Sequence, residues 1–196
     1  MSMSSNQSGE NFHGEGGTHV EKLKRLKCVY GNANWAIEAL RHGFLRQLHE
    51  LILNWKGQLP NLRNIFRKDE INDFLKDSLS CCAVNNNYQG ELFIDFVARS
   101  GYKYEPDVDK DGKPLLRLDT AVHCAARLNC SKDLIGKLFQ IYNYGIDFDY
   151  IDESGLSHFN VACKYGFENI VEKLHELLQD PNNLVKRHKV ADFLLT

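Results

Sequence analysis

Apolar positions recur at three- and four-residue steps along most of the chain, and the first long run lies between Ala33 and Trp55. Ile37, Leu40, Phe44, Leu48, Leu51, Ile52 and Trp55 fall on one side of a helix, and Gly57 and Pro60 punctuate its end. Just before it, Val20–Cys28 carries five charges, four of them basic. A short helix or a solvated lead-in fits there, and the charge density favours the solvated reading. Downstream, Leu62, Ile65 and Phe66 predict a short helical turn. Asp69 is then placed as the N-cap of a helix that buries Ile71, Phe74, Leu75 and Leu79. Asn85-Asn86-Asn87 reads as a loop. Gly90–Arg99 reads as a helix burying Leu92, Phe93, Phe96 and Val97, with Gly101 at its C-terminal cap.

The next stretch changes character. Tyr102–Leu118 has no helical period, and Asp111-Gly112 at its centre predicts a tight hairpin in which both turn residues take positive φ. Two passes of one helical pattern follow. In the first, Thr120 and His123 open a helix that buries Val122, Ala125 and Ala126, and a second helix buries Leu134, Ile135, Leu138 and Phe139 before Gly145. In the second, Ser157 opens a helix assigned to bury Phe159, Ala162 and Cys163. Gly166 breaks it, and a partner helix buries Ile170, Val171 and Leu174 before Asp180-Pro181-Asn182. Thr120 and Ser157 lie 37 positions apart. That spacing falls between the periods of about 33, 34 and 40–47 residues of the common two-helix repeats, so it does not discriminate among them.

The residues within the passes do. Asp119-Thr120-Ala121-Val122-His123-Cys124-Ala125-Ala126 resembles the Thr-Pro-Leu-His-x-Ala-Ala motif of ankyrin repeats. Asp152-x-x-Gly155-x-Ser157-His158-Phe159-Asn160-x-Ala162-Cys163-x-x-Gly166 is the same motif with more substitutions. The extra length of the first unit is assigned to its second helix, around Tyr142-Asn143-Tyr144. The layout resembles the expanded ankyrin families of insects. The resemblance implies an all-α, helical-repeat solenoid of ankyrin type with projecting β-hairpin fingers and a helical N-terminal region. The divisions are a disordered tail over 1–19, a helical lead-in over 20–68, a degenerate or capping repeat over 69–101, ankyrin-like repeats over 102–184 and a C-terminal helix or cap over 185–196. Thr120, His123, Ala125, Ala126, Gly155, Ser157, Asn160, Ala162 and Gly166 take the motif's structural places, with His123 bonding the adjoining turn. The family binds proteins through its hairpin tips and the concave face of its first helices. By position the concave candidates are Cys124, Arg127, Leu128, Val161, Lys164 and Tyr165, and the tip candidates are Tyr150, Glu153 and the Asp109–Lys113 finger.

Composition narrows the alternatives. A chain of 196 residues with 43% hydrophobic and 26% charged residues can bury its own core. A net charge of −2 supplies no overall attraction to nucleic acid, and no apolar run is long enough to span a membrane. Met1–Gly17 has no apolar h-region, so a cytoplasmic or nuclear setting is expected, with all six cysteines reduced. Asp107-x-Asp109-x-Asp111-Gly112 opens like a calcium loop. However, position eight is Pro114 and position twelve is Leu118, where the loop needs a bidentate Glu. His123, Cys124, Cys130 and Cys163 contain no Cys-x-x-Cys pair to nucleate a zinc site, so Cys163 is read as a small core residue and Cys81-Cys82 as helix packing. His123 and Cys124 are adjacent on a helix and point apart, which does not make a nucleophile–base pair. Lys186-Arg187-His188-Lys189 reads as a solvated helix face. The expected function is therefore non-catalytic binding of another protein, with no cofactor, nucleic acid or membrane insertion. The alternatives are a calcium-responsive acidic loop, or a truncated repeat protein with little independent function.

Overall fold

A computed structural model describes residues 19–31, 38–53, 55, 57–85, 89–142 and 148–179. Among these the chain is α-helical. The helices are α1 (His19–Gly31), α2 (Glu38–Leu53), α3 (Lys68–Asn85), α4 (Gln89–Arg99), α5 (Ala121–Arg127), α6 (Lys132–Ile141), α7 (His158–Tyr165) and α8 (Glu168–Gln179), with a 3-10 turn at Leu62–Asn64. No strand forms among the described residues. Where hairpin strands were expected, backbone pairing is confined to isolated bridges: Val108 with Pro114, Arg117 with Ile151 and Ile151 with Ser157. No described helix is long and apolar enough to cross a membrane.

The helices pack as consecutive pairs, α1 with α2, α3 with α4, α5 with α6 and α7 with α8. The pairs then stack. α3, α5 and α7 form one row, while α2, α4 and α6 form another. One hydrophobic cluster runs through all four pairs, from Leu26 to Leu174. No single pair could bury both of its faces, so each depends on its neighbours for its core. Phe44, Phe66, Phe74 and Phe93 fill the first half with ring centroids 5.1–6.1 Å apart. Tyr104, Tyr142 and Tyr150 fill the second.

Several expectations shift. Residues 20–28 are helical rather than a solvated lead-in. The charges hid an apolar stripe at three- and four-residue steps, in which Leu26 is fully buried and Leu23 and Tyr30 partly so. Tyr30 also donates its hydroxyl to Glu70 Oε2 (2.8 Å), which ties α1 to α3. Leu40, assigned to the buried side of α2, is 46% exposed. Asp69 lies inside the first turn of α3, not before it. In α7 the buried face is His158, Val161 and Ala162, while Cys163 is exposed and Phe159 only half-buried. The buried side of α7, which packs against α5 and α8, lies one residue from where the periodicity placed it. Of the expected tail over 1–19 only His19 is described, and it opens α1, while Asn85 of the expected loop ends α3. Residues 1–18, Ile37, Asn86-Asn87, Asn143-Tyr144, Gly145, Asp180-Pro181-Asn182, the basic run at 186–189 and the C-terminal cap lie outside the described residues.

A buried bond joins the second and third pairs. The Tyr142 hydroxyl donates to Asn72 Oδ1 on α3 and accepts the Ala121 N–H (3.3 Å) at the start of α5. Asn72 Nδ2 in turn donates to Asp119 O (3.4 Å). Replacing Tyr142 with Phe keeps the ring but leaves two buried polar atoms short of a partner. The expected cost is about 1–3 kcal/mol in urea unfolding. A change within error would show that the hydroxyl contributes nothing net.

Candidate functional site

The two units repeat bond by bond. At the end of α5, Asn129 takes positive φ (50°), and Gly166 does so at the matching place after α7 (66°). Each ends its helix in the left-handed conformation, which Gly adopts freely and Asn tolerates. Asn129 N–H bonds Ala126 O as Gly166 N–H bonds Cys163 O, and Cys130 N–H bonds Ala125 O as Phe167 N–H bonds Ala162 O.

The turns before these helices also match. Asp109 Oδ1 accepts the N–H groups of Asp111 and Lys113 (both 2.9 Å), and Asp152 Oδ1 accepts those of Ser154 (2.9 Å) and Leu156 (3.0 Å). The backbone closes identically, Asp109 N–H to Lys113 O and Asp152 N–H to Leu156 O. Of the turn residues only Gly112 (76°) and Gly155 (88°) have positive φ. The Asp111-Gly112 turn is thus not the two-residue type expected from its sequence. Asp109–Gly112 forms an ordinary turn, and Gly112 absorbs the reversal as a bulge. The turns lie 43 positions apart and the helices 37. The stretch from turn to helix is therefore six residues longer in the first unit (43 − 37), and within it Leu116 O and the Leu118 N–H bond Ile151.

Between turn and helix lies a buried polar network. The Thr120 N–H donates to His123 Nδ1 (3.1 Å). A backbone amide can only donate, so Nδ1 is the bare nitrogen, and Nε2 carries the hydrogen that it gives to Tyr150 O (3.2 Å). The Thr120 hydroxyl sits 3.1 Å from His123 Nδ1 and 2.8 Å from His158 Nε2, between two imidazoles whose centroids are 4.7 Å apart. Burial lowers the pKa of both, His158 well below the usual value and His123 against the opposing pull of Asp152 and Asp119. In the second unit Asn160 replaces the imidazole. Its Oδ1 accepts the Ser157 N–H (3.0 Å) while Ser157 Oγ accepts the Asn160 N–H (3.2 Å). Asp149, also buried, accepts the Phe159 N–H (2.9 Å), and burial raises its pKa to about 6.

The residues expected to contact a partner divide into two groups. Leu128, Lys164 and Glu153 are exposed, Arg127 is half-exposed, and Cys124 and Tyr165 are partly buried. Val161 and Tyr150 are fully buried and offer no side-chain surface. The Tyr150 ring packs against Tyr104, Tyr142, Phe148 and His158. Several of the others hold the units together. Arg127 donates to Asp119 Oδ1 and to Asp152 Oδ2 (both 2.8 Å), bridging the first helix to the next turn. Lys164, at the same place on α7, reaches back to Ala126 O (3.4 Å) and Asn129 Oδ1 (3.2 Å). Replacing Arg127 with Met should lower stability by about 0.5–1 kcal/mol, a small cost because the guanidinium is half in solvent. Thermal unfolding at low and high salt checks it, and a salt-independent difference would refute an ionic tether.

The residues that sequence reasoning passed over are His158, Asp149 and Tyr142. His158 aligns with Ala121 in the first unit, so no motif position flags it. Asp107, the first acid of the calcium-like loop, pairs with Lys68. Asp109 Oδ1 is engaged by two N–H groups of its own turn. Among the described residues no three His, Cys, Asp or Glu side chains gather as metal ligands. An open groove of about 490 Å³ runs past Arg99, Lys132, Lys137 and Phe167 on the α4–α6 side. Lys137 pairs there with Asp95 and Asp133, and Arg99 with Asp95, while Lys132 donates to Gly166 O (2.8 Å). Compared with known proteins, the chain matches no protein-family model, no curated protein and no solved structure.

Proposed function

We propose that this chain is a non-catalytic protein-interaction module built as an ankyrin-type solenoid, acting in the cytoplasm or nucleus. The supporting observation is the bond-by-bond repetition of turn, capping box and left-handed exit between the two units. Such repetition yields a stiff stack whose polar groups are spent on holding units together, leaving an exposed strip for a partner. Tight turns at Asp109–Lys113 and Asp152–Leu156 border that strip, and Leu128 and Glu153 lie along it.

The probe is the doubly substituted chain Leu128→Asp with Glu153→Lys. Both side chains are exposed, and neither holds a structural bond described above. Wild-type and variant protein would be used for affinity capture from native extract with mass spectrometry, alongside melting curves. Proteins captured by the wild type and lost by the variant, at equal melting temperature, support the reading. Equal capture by both would show that this strip is not the binding surface.

A further inference from the structure

The helices at the two ends of the described stack differ in charge. Residues 19–68 hold ten Lys and Arg against three Asp and Glu, whereas residues 69–179 hold eleven against nineteen. The two end helices have opposite signs: α1 holds four Lys and Arg against one Glu, and α8 holds one Lys against three Glu. On the first pair, Lys24, Arg25 and Lys27 of α1 and Arg46 of α2 are exposed and make no ion pair among the described residues. On the last pair, Glu168, Glu172 and Glu176 line one exposed face of α8 at four-residue steps, also without an ion pair among the described residues. Four-residue spacing sets like charges side by side, where they repel. Ile170 and Leu174 pack the opposite side of α8 into the core, so the stripe faces outward.

α1 packs mainly on α2 and α8 mainly on α7, so the two charged helices terminate the described stack at opposite ends. A surface carrying unpaired positive charge at one end and unpaired negative charge at the other is complementary to a copy of itself. Made end to end, such a contact joins two different patches and leaves one of each free, so it does not close on two copies. The basic end also carries exposed apolar side chains, Val20 (72%), Leu40 (46%) and Leu53 (63%). Val20 shares the α1 face of Lys24 and Lys27, which gives that end something to bury once charge has brought it to a neighbour. A polyanion or anionic membrane fits less well, because the remainder of the described chain is net negative and would be repelled.

We propose that copies of this chain associate head to tail, the basic α1–α2 end of one against the acidic α8 face of the next. The test is sedimentation velocity on the full chain across protein concentration, at low and high ionic strength. The expected result at low salt is an average mass that grows with concentration past two copies, and a monomer at about 1 M salt, where the screening length is only about 3 Å. Two charge reversals sharpen it. Lys24→Glu with Lys27→Glu makes both ends acidic, and Glu172→Lys with Glu176→Lys makes both ends basic. Each variant alone should stay monomeric with unchanged helical circular dichroism, and an equimolar mixture should associate again. A wild-type chain that remains monomeric at low salt overturns the proposal, as does association indifferent to either reversal. A mass that stops at two copies overturns the head-to-tail geometry. Binding to phosphatidylserine vesicles by a chain that stays monomeric would assign the basic end to membranes instead.

Discussion

Replacing His123 with Ala should destabilise the fold by about 3–5 kcal/mol. The imidazole is fully buried, so its loss opens a cavity between α5 and α7. Its loss also strips the buried Thr120 N–H of its acceptor (3.1 Å), and an unsatisfied buried donor costs about 1–3 kcal/mol. Tyr150 O suffers less, because it also accepts the His158 N–H (3.0 Å). The second unit supplies the control. Asn160 performs the capping half of the role with an amide oxygen, accepting the Ser157 N–H at 3.0 Å. His123→Asn should therefore recover about 1–2 kcal/mol of the loss by restoring an acceptor for Thr120. Equilibrium urea unfolding of the three proteins decides it. Equal losses for Ala and Asn would mean that packing, not the capping bond, accounts for the importance of His123.

Acidification should weaken the protein steadily below about pH 6.5. Both His123 and His158 have pKa values lowered by burial in the folded state. Unfolding lets them take up protons, so their contribution is complete above the ordinary histidine value and is lost as pH falls toward the folded values. Each removes about 1.4 kcal/mol per pH unit while it stays neutral in the folded chain. Asp149 has the opposite sign. Its folded pKa is raised to about 6, so the folded chain holds the extra proton between about pH 6 and pH 4. Acidification across that window therefore restores about 1.4 kcal/mol per unit. The net expectation is a loss of about 1.4 kcal/mol per unit below pH 6. In Asp149→Asn, whose amide oxygen can still accept the Phe159 N–H, the slope should steepen toward about 2.7. Unfolding free energies measured at several pH values between about 7 and 5 test both slopes. A flat profile would mean that the two imidazoles are not held neutral.

Periodicity was enough to place most helices, because core-facing positions repeat at fixed steps whatever they pack against. It failed for α1, where Lys24, Arg25 and Lys27 masked the stripe of Leu23, Leu26 and Tyr30. The capping residues Thr120, His123, Ser157 and Asn160 were legible because their bonds close within three residues. Exposure was less legible. Cys124 and Val161 occupy matching places, yet Val161 is the more deeply buried, because burial depends on which neighbouring pair covers each helix. Tyr150 looked like a hairpin tip residue in one dimension. Its ring is buried because the chain folds back over it. His158 belongs to the network through a bond to a residue 38 positions away, and no local pattern encodes such a contact.

The two Asp-centred turns have a consequence for how this protein can change. Each turn is closed by bonds within five residues, from Asp109 to Lys113 and from Asp152 to Leu156. Only the Asp and the Gly are conformationally committed. Lys110 and Asp111 in one turn, and Glu153 in the other, project outward without anchoring the helices. These positions can therefore be rewritten without touching the core, and one turn can be grafted in place of the other. The chain thus keeps the residues that hold its shape apart from those free to acquire a new specificity.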